Sequence, residues 1–182
     1  MRRRLVVAAL CLAIGYSVDS LAQGAPDEPS DYRTDAYRAP VPATLQGARV
    51  IDAEAAEALW RAKAAIFIDV LPRPVKPENL PASVIWREPP HKSIPGAVWL
   101  ANTGYGVVPE PLLEKFRSRL EALTGGDRTK ALVFFCLRDC WMSWNAAKRA
   151  VAWGYGSVIW FPEGIDGWSD ALLPLELVAP EP

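Results

Sequence analysis

Short, continuous apolar runs alternate along the chain with segments whose apolar residues follow helical spacing. The runs are rich in β-branched and aromatic residues and predict four short buried strands, within residues 65–70, 94–100, 131–136 and 157–161. The segments with helical spacing predict helices over residues 52–63, 111–123 and 143–153. This alternation is typical of an α/β domain with a small, mostly parallel sheet that is flanked by helices and joined by right-handed crossovers.

The run over residues 131–136 contains no polar residue and ends at Cys136. A strand without alternation is typical of a central parallel strand covered on both faces, so we expect this strand in the middle of the sheet. The helix that follows carries the small residues Ala146, Ala147 and Ala150, which let it lie close to the sheet. After the last strand, residues 162–168 predict a turn that leads into a short terminal helix.

The beginning of the chain has the layout of an export signal. Residues 1–22 combine an arginine-rich start, an apolar run and small residues at Ser20 and Ala22, which is typical of a cleaved secretory signal peptide. An uncleaved N-terminal anchor is the alternative, although the apolar run is short for a membrane span. We therefore expect a periplasmic protein.

The rest of the chain is expected to form one domain with two extensions. Residues 23–44 are rich in proline and charge and predict an extended, poorly ordered lead-in, which Tyr32 and Tyr37 pin to the domain. The domain follows, and within it the Pro-rich residues 71–90 predict a loop. The expected boundaries place the domain at residues 45–176 and a Pro-rich tail at residues 177–182.

Composition and charge exclude several classes of protein. The chain has 182 residues, of which 51% are hydrophobic and 23% charged, which is usual for a globular domain and excludes a disordered or collagen-like chain. Its formal net charge of −1 argues against a nucleic-acid partner, because phosphate contacts need an excess of lysine and arginine.

The sequence has neither a glycine-rich nucleotide loop nor a cluster of metal ligands. We therefore expect no cofactor, no metal and, after signal cleavage, no membrane association.

The candidate chemistry lies in the loop between the central strand and the next helix. Ligands of open parallel sheets bind beyond the carboxyl ends of the strands, and Cys136 stands at such an end. Amide groups and the dipole of a nearby helix start favour a thiolate and stabilise bound anions. Cys136 and Cys140, the cysteines that remain after signal cleavage, are the candidate catalytic residues. The other residues of the loop form the expected anion cradle: Leu137, Arg138, Asp139, Trp141, Met142 and Ser143.

Two of these residues allow more than one interpretation. Cys140 either resolves a persulfide or sulfenate on Cys136 by forming a disulfide, or joins it in a purely structural bridge. Trp141 either packs in the core or forms a pocket wall or docking contact. The sequence leaves these alternatives open.

Residues outside the loop are expected to support the site. Asp69 follows a buried strand and is expected to orient the active loop by accepting backbone N–H bonds, unless it is an ordinary strand-end carboxylate. Asn145 is expected to cap the helix or to contact substrate, and Trp144 beside it is expected to pack. His91 is the only histidine and lies in a Pro-rich stretch, which predicts a surface position rather than a general base.

Several separated segments, spread over residues 50–175, resemble the rhodanese family in their order along the chain. They are Asp69-Val70 at a strand end, Ile94-Pro95-Gly96-Ala97, Cys136, the Ser143, Ala146 and Ala147 pattern, Gly154-Tyr155 with Val158, Glu163-Gly164, and Gly167-Trp168. The resemblance implies a rhodanese-like domain in which Cys136 carries a sulfane sulfur. The chain departs from the family at Leu71 and Met142, where arginines are usual. The arginine missing at Met142 argues against phosphatase or arsenate reductase chemistry, which needs it to bind an oxyanion.

The second cysteine and the residues after it resemble a narrower group. Cys140-Trp141, followed by Ser143-Trp144-Asn145, is similar to the secreted PQQ-dependent catabolism-associated CXXCW motif proteins, although three residues rather than two separate the cysteines here. The resemblance implies an association with quinoprotein alcohol oxidation in the periplasm. It does not imply that this chain binds PQQ.

Three hypotheses follow from these residues. The first is a sulfurtransferase-like enzyme that takes sulfur from a small donor onto Cys136 and passes it to a thiol acceptor. The second is a thiol–disulfide partner of a periplasmic quinoprotein dehydrogenase that uses Cys136 and Cys140. The third is a catalytically inactive binding module that docks through residues 71–90, Trp86 and Trp141.

Overall fold

A computed structural model describes residues 24–81 and 83–181, so the predicted signal peptide at residues 1–22 lies outside the described part. The strands are β1 (Arg49–Val50), β2 (Ile66–Asp69), β3 (His91–Ser93), β4 (Val98–Trp99), β5 (Leu132–Phe135), β6 (Val158–Trp160) and β7 (Glu176–Val178). The helices are α1 (Ala53–Arg61), α2 (Glu110–Thr124), α3 (Trp141–Ala152) and α4 (Gly164–Asp170). None of the helices in these residues combines the length and the apolar character that crossing a membrane requires.

Five strands form a parallel sheet in the order β1-β6-β5-β2-β4. β5 lies in the middle, and all four of its residues are buried. Its register places Phe135 opposite Asp69, so the end of β2 and the residue before Cys136 share one edge of the sheet. The central position predicted for this strand is confirmed.

Helices cover both faces of the sheet, which confirms the predicted α/β class. On one face, α2 and α3 pack with Phe134 and Trp160 in one core. On the other face, α1 and α4 pack with Phe67 and Phe135 in a second core. The small residues Ala146, Ala147 and Ala150 are fully buried, as expected for a helix that lies close to a sheet.

The predicted helices form with small shifts at their ends. Asp52 is the N-cap of α1, where its carboxylate accepts a hydrogen bond of 2.9 Å from the amide of Ala55. Gly125 ends α2 in the left-handed conformation, with φ of 64°. α3 begins at Trp141, two residues earlier than the predicted Ser143, so the loop after Cys136 is shorter than expected.

One prediction on the C-terminal part was wrong. Residues 162–168 were expected as a turn, but α4 already begins at Gly164 within them. Further along the chain, β7 pairs antiparallel with β3, and the amide of Glu181 donates to Trp99 O over 2.9 Å. Pairing between distant segments stabilises these short strands, and no apolar periodicity marks them. The described residues within 71–90 contain neither helix nor strand, as their prolines predict.

Residues 24–44 of the lead-in are extended, as predicted, but they are not poorly ordered, because polar contacts hold them along α3. We name residues 29–44 the strap. Lys148 Nζ donates to Pro29 O at the start of the strap, and the Trp144 indole donates to Thr44 O at its end. The Tyr37 hydroxyl accepts a bond of 3.0 Å from the amide of Gly106. The strap therefore covers the N-terminal half of α3 and lies beside the candidate loop.

Candidate functional site

Cys136 and Cys140 form a disulfide at the carboxyl edge of the sheet. Cys136 directly follows β5, and Cys140 is the N-cap of α3. Their Cα atoms are 6.4 Å apart, and both residues are buried, at 0% and 1% exposure. The two predicted catalytic residues are therefore joined, and the bond closes the short loop that contains Leu137, Arg138 and Asp139.

The backbone of this loop is bound from two sides. On one side, Cys136 O accepts from the amide of Ile165 over 2.8 Å, and the amide of Arg138 donates to the Asp166 carboxylate over 2.9 Å. On the other side, Asp139 O accepts from the amide of Ala39 in the strap over 3.1 Å. Asp139 itself adopts a left-handed conformation, with φ of 52°. α4 and the strap together determine the path of the loop.

The expected anion cradle is only partly available in this conformation. The Arg138 guanidinium forms an ion pair with Asp170 over 2.7 Å, and this hydrogen bond raises the pKa of Arg138. The amide of Trp141 is also occupied, because it donates to Tyr37 O over 2.9 Å. The side chain of the N-cap residue Cys140 makes no capping hydrogen bond, which leaves Met142 and Ser143 as the cradle residues whose amides lie in an uncapped first turn of α3.

Ser143 connects the second cysteine to the core. Its hydroxyl donates to Cys140 O over 3.1 Å and accepts from the Trp160 indole over 3.0 Å. Trp141 is buried and donates through its indole to Pro40 O, so of its two interpretations the structure shows core packing. Trp144 and Met142 are buried as well.

Asn145 neither caps α3 nor faces an open site. Its side-chain amide accepts from the amide of Arg33 over 2.9 Å and donates to Arg33 O over 2.8 Å. It also donates to Gly104 O over 3.0 Å. Asn145 therefore joins the strap, α3 and the loop before α2.

Asp69 does not orient the active loop, in contrast to the prediction. One carboxylate oxygen accepts from the amide of Leu71 over 2.9 Å, and the other from the Ser93 hydroxyl over 2.6 Å. The second oxygen also lies 2.7 Å from His91 Nε2. Asp69 is fully buried, and a buried carboxylate is tolerated only when it has such partners.

The surface position predicted for His91 was wrong. Its side chain is only 11% exposed, lies at the start of β3 and packs against Trp99 with 4.2 Å between ring centroids. The pairing of β3 with β7 brings this histidine to Asp69, and the local sequence gives no sign of that pairing.

Gly164 is a site residue whose role the sequence analysis missed. It has a positive φ of 53°, and a Cβ there would lie 2.7 Å from the carbonyl carbon of Cys136. A glycine is therefore what lets the start of α4 approach the cysteine loop. The signal that could have identified it is the Glu163-Gly164 pair, which was noted only as part of the family resemblance.

The residues that the structure describes offer no ready metal site. Among residues 24–81 and 83–181, no three histidine, cysteine, aspartate or glutamate side chains lie together in a way that could hold a metal ion.

Comparisons with known proteins give similar solved structures but no sequence match. No protein family model matches the chain, and no curated protein sequence matches it. Thiosulfate sulfurtransferase from Pseudomonas aeruginosa is similar with a TM-score of 0.48 and 18% identity, over 74% of this chain and 22% of that chain. The polysulfide-sulfur transferase homodimer from Wolinella succinogenes is similar with a TM-score of 0.44 and 17% identity, over 71% of this chain and 79% of that chain.

An uncharacterized protein from Saccharomyces cerevisiae is similar with a TM-score of 0.40 and 16% identity, over 68% of this chain and 92% of that chain. The chain thus matches about a fifth of the Pseudomonas protein but most of the other two. The α/β class stated above rests on the sheet and helices of this chain itself.

Proposed function

We propose that this chain is a rhodanese-like protein that carries a sulfane sulfur on Cys136, with Cys140 as the resolving cysteine. The observation that carries the proposal is the disulfide between the cysteine at the end of the central strand and the N-cap of the next helix. Such a bond is the product expected when a second cysteine resolves a persulfide on the first. The rhodanese-like sequence segments around Cys136 give further support.

The proposed reaction has two steps. First, the Cys136 thiolate attacks the sulfane sulfur of a small anionic donor, and the donor leaves with one sulfur fewer. This step forms a persulfide on Cys136. A thiol acceptor can then take the outer sulfur from that persulfide and return Cys136 to the thiolate.

When no acceptor is present, Cys140 completes the reaction. The Cys140 thiolate attacks Cys136 Sγ, the bond from Cys136 Sγ to the outer sulfur breaks, and hydrosulfide leaves. The two cysteines lose two electrons in forming the disulfide, and the outer sulfur gains them. An external dithiol must return two electrons to restart the cycle.

The start of α3 supplies the electrostatic support for a thiolate. Its partial positive charge favours anions, and the amides of Met142 and Ser143 belong to its uncapped first turn. A helix start of this kind favours a nearby anion such as a thiolate or persulfide. Because Cys136 is buried, the donor needs an opening beside the loop, and the strap is the element that lies there.

The proposal is tested by trapping the persulfide. The reduced Cys140→Ser variant is incubated with thiosulfate or polysulfide, the donors named for the two similar sulfurtransferases, and its intact mass is measured. We expect an adduct of one sulfur on Cys136 that lasts, because no resolving thiol is present. The matched Cys136→Ser variant should gain no sulfur, and sulfur on both variants, or on neither, would contradict the proposal.

A second candidate is thiol–disulfide exchange with a partner protein. The ion pair between Arg138 and Asp170 favours thiol–disulfide exchange, because the paired arginine supplies no free cation for an anionic donor. In this case Cys140→Ala should accumulate a mixed disulfide on Cys136 with the partner in cells. A variant with both cysteines changed to serine that keeps its cellular role would instead support the inactive binding module.

We also propose that the protein acts in the periplasm, in association with PQQ-dependent alcohol catabolism and a quinoprotein dehydrogenase system. The arginine-rich start of residues 1–22 and the Cys140-Trp141 pair support this setting. The mass of the protein from a periplasmic extract checks the location, since signal cleavage removes residues 1–22. A protein that retains them in a membrane fraction would contradict it.

A further inference from the structure

Arg149 on α3 is a buried cation that the proposed sulfur chemistry does not use. The residue is only 4% exposed, and its guanidinium lies over the Tyr32 ring of the strap, 4.2 Å from the centroid. Burial lowers the pKa of Arg149. Within the described residues it forms no ion pair with a carboxylate. A buried charge without a partner is costly, which is a reason to look for an anion that could accompany it.

The hydrogen bonds of this guanidinium are incomplete. Nη2 donates to Gly106 O over 2.7 Å, whereas Nη1 is buried and has no acceptor in the part of the chain that the structure describes. A buried donor without an acceptor costs free energy, so the described residues compensate this guanidinium only in part.

Arg149 lines an open cleft of about 320 Å³ between the strap, α3 and the start of α2. The other walls include Tyr32, Val108, Leu113 and Trp153, and none of the lining residues is acidic. The volume falls within the range of small-molecule sites, which are mostly apolar with a few polar groups that fix the orientation of the ligand. The cleft thus combines one cation with aromatic and aliphatic walls.

We infer that this cleft binds a small organic monocarboxylate, with its carboxylate paired with the Arg149 guanidinium and its hydrocarbon part against Tyr32, Leu113 and Trp153. A single guanidinium matches a single negative charge, whereas a phosphate or sulfate dianion would leave charge uncompensated. The apolar walls favour an aromatic or branched hydrocarbon group over a purely polar anion. The site is separate from Cys136 and does not depend on the proposed sulfur chemistry.

Titration calorimetry of the purified protein with benzoate and with benzamide, its neutral counterpart of similar shape, tests the inference. We expect one saturable benzoate site and a dissociation constant at least about tenfold higher for benzamide, because only benzoate gains the charged hydrogen bond. Equal affinity for the two compounds, or no saturable benzoate heat up to about 10 mM, would overturn the inference.

Variants then locate the site. Arg149→Met should weaken benzoate binding to the level of benzamide, and Val108→Trp should prevent both from binding by filling the cleft. The matched control is Arg117→Met, which removes an arginine that lies over the Trp153 ring but does not line the cleft. Benzoate binding that survives Arg149→Met, or that is lost equally in Arg117→Met, would contradict the site. If Arg149→Met does not fold, Val108→Trp and the comparison with benzamide still test whether benzoate binds in this cleft.

Discussion

Cys136 and Cys140 are bound to different parts of the molecule. The carbonyl of Cys136 accepts a hydrogen bond from the amide of Ile165 in α4. The backbone of Cys140, in contrast, pairs with the backbone of Arg38 in the strap as an isolated antiparallel β-bridge. α4 packs in the second core of the domain, whereas the strap packs against the first core through Tyr37, Ala39 and Val41. The proposed sulfur carrier and the proposed resolving cysteine are therefore held by different elements of the fold.

Asp69 provides a prediction at the scale of one residue. Asp69→Ala should lower the free energy of unfolding by about 3 kcal/mol, because it leaves Leu71 N, Ser93 Oγ and His91 without their buried acceptor. Urea unfolding measures the change. The control is Asp170→Ala, which removes an exposed partner of Arg138 and should cost less than about 1 kcal/mol. A loss in Asp69→Ala as small as the one expected for Asp170→Ala would show that the Asp69 cluster does not stabilise the fold.

At the scale of elements, the approach of α4 to the cysteine loop depends on Gly164. Gly164→Ala should destabilise the protein by about 3 kcal/mol, since it adds a steric clash with Cys136 to the strain of a positive φ. Gly125→Ala is the matched control, because Gly125 also has a positive φ but a Cβ there has no atom within 4 Å. It should cost only about 1 kcal/mol. Equal losses in urea unfolding would mean that the close approach has no energetic consequence.

The strap gives a second prediction at this scale. Asn145→Ala should accelerate reduction of the disulfide by dithiothreitol at least about tenfold, because it removes hydrogen bonds to Arg33 and lets the strap open more often. The rate is followed by alkylation and mass measurement under native conditions. Ser118→Ala, on the exposed face of α2, should leave the rate unchanged. An unchanged rate in Asn145→Ala would show that the strap does not control access.

The elements also show which parts of the fold are predictable from the sequence. β2, β5 and the first three helices have strong local patterns, and the structure forms all of them near the expected positions. β3 and β7 have no such pattern, since each is stabilised by the other across more than eighty residues. The glycines at positions 164 and 167 indicated a turn, but Trp168 buried in the second core stabilises a helix there.

The same reasoning explains what was predictable at the candidate site. Cys136 and Cys140 were identified because their position relative to a strand and a helix is a local property. The partners of Asp69, Asn145 and Arg138 were not, because they come from β3, the strap and α4. Hydrogen bonds between segments that are distant in the chain produce no periodic pattern of residues in the sequence.

At the scale of the whole molecule, the fold has two cores, one on each face of the sheet, and the disulfide closes only a short loop beside them. Loss of the bond should therefore lower the free energy of unfolding by only about 2 kcal/mol. Urea unfolding with and without a phosphine reductant measures this difference. Unfolding of the protein on reduction alone would identify the bond as a structural one and would remove the basis for a redox cycle.

The most direct test of the central claim is a single turnover of the wild-type protein. The reduced protein is mixed with one equivalent of polysulfide and alkylated at successive times, and peptides containing Cys136 and Cys140 are analysed by mass while hydrosulfide is measured. The account predicts that a persulfide appears first on Cys136 and then decays to the Cys136–Cys140 disulfide, with one hydrosulfide released per disulfide formed. A disulfide that forms without a preceding persulfide on Cys136, or a persulfide that forms on Cys140 instead, would contradict it.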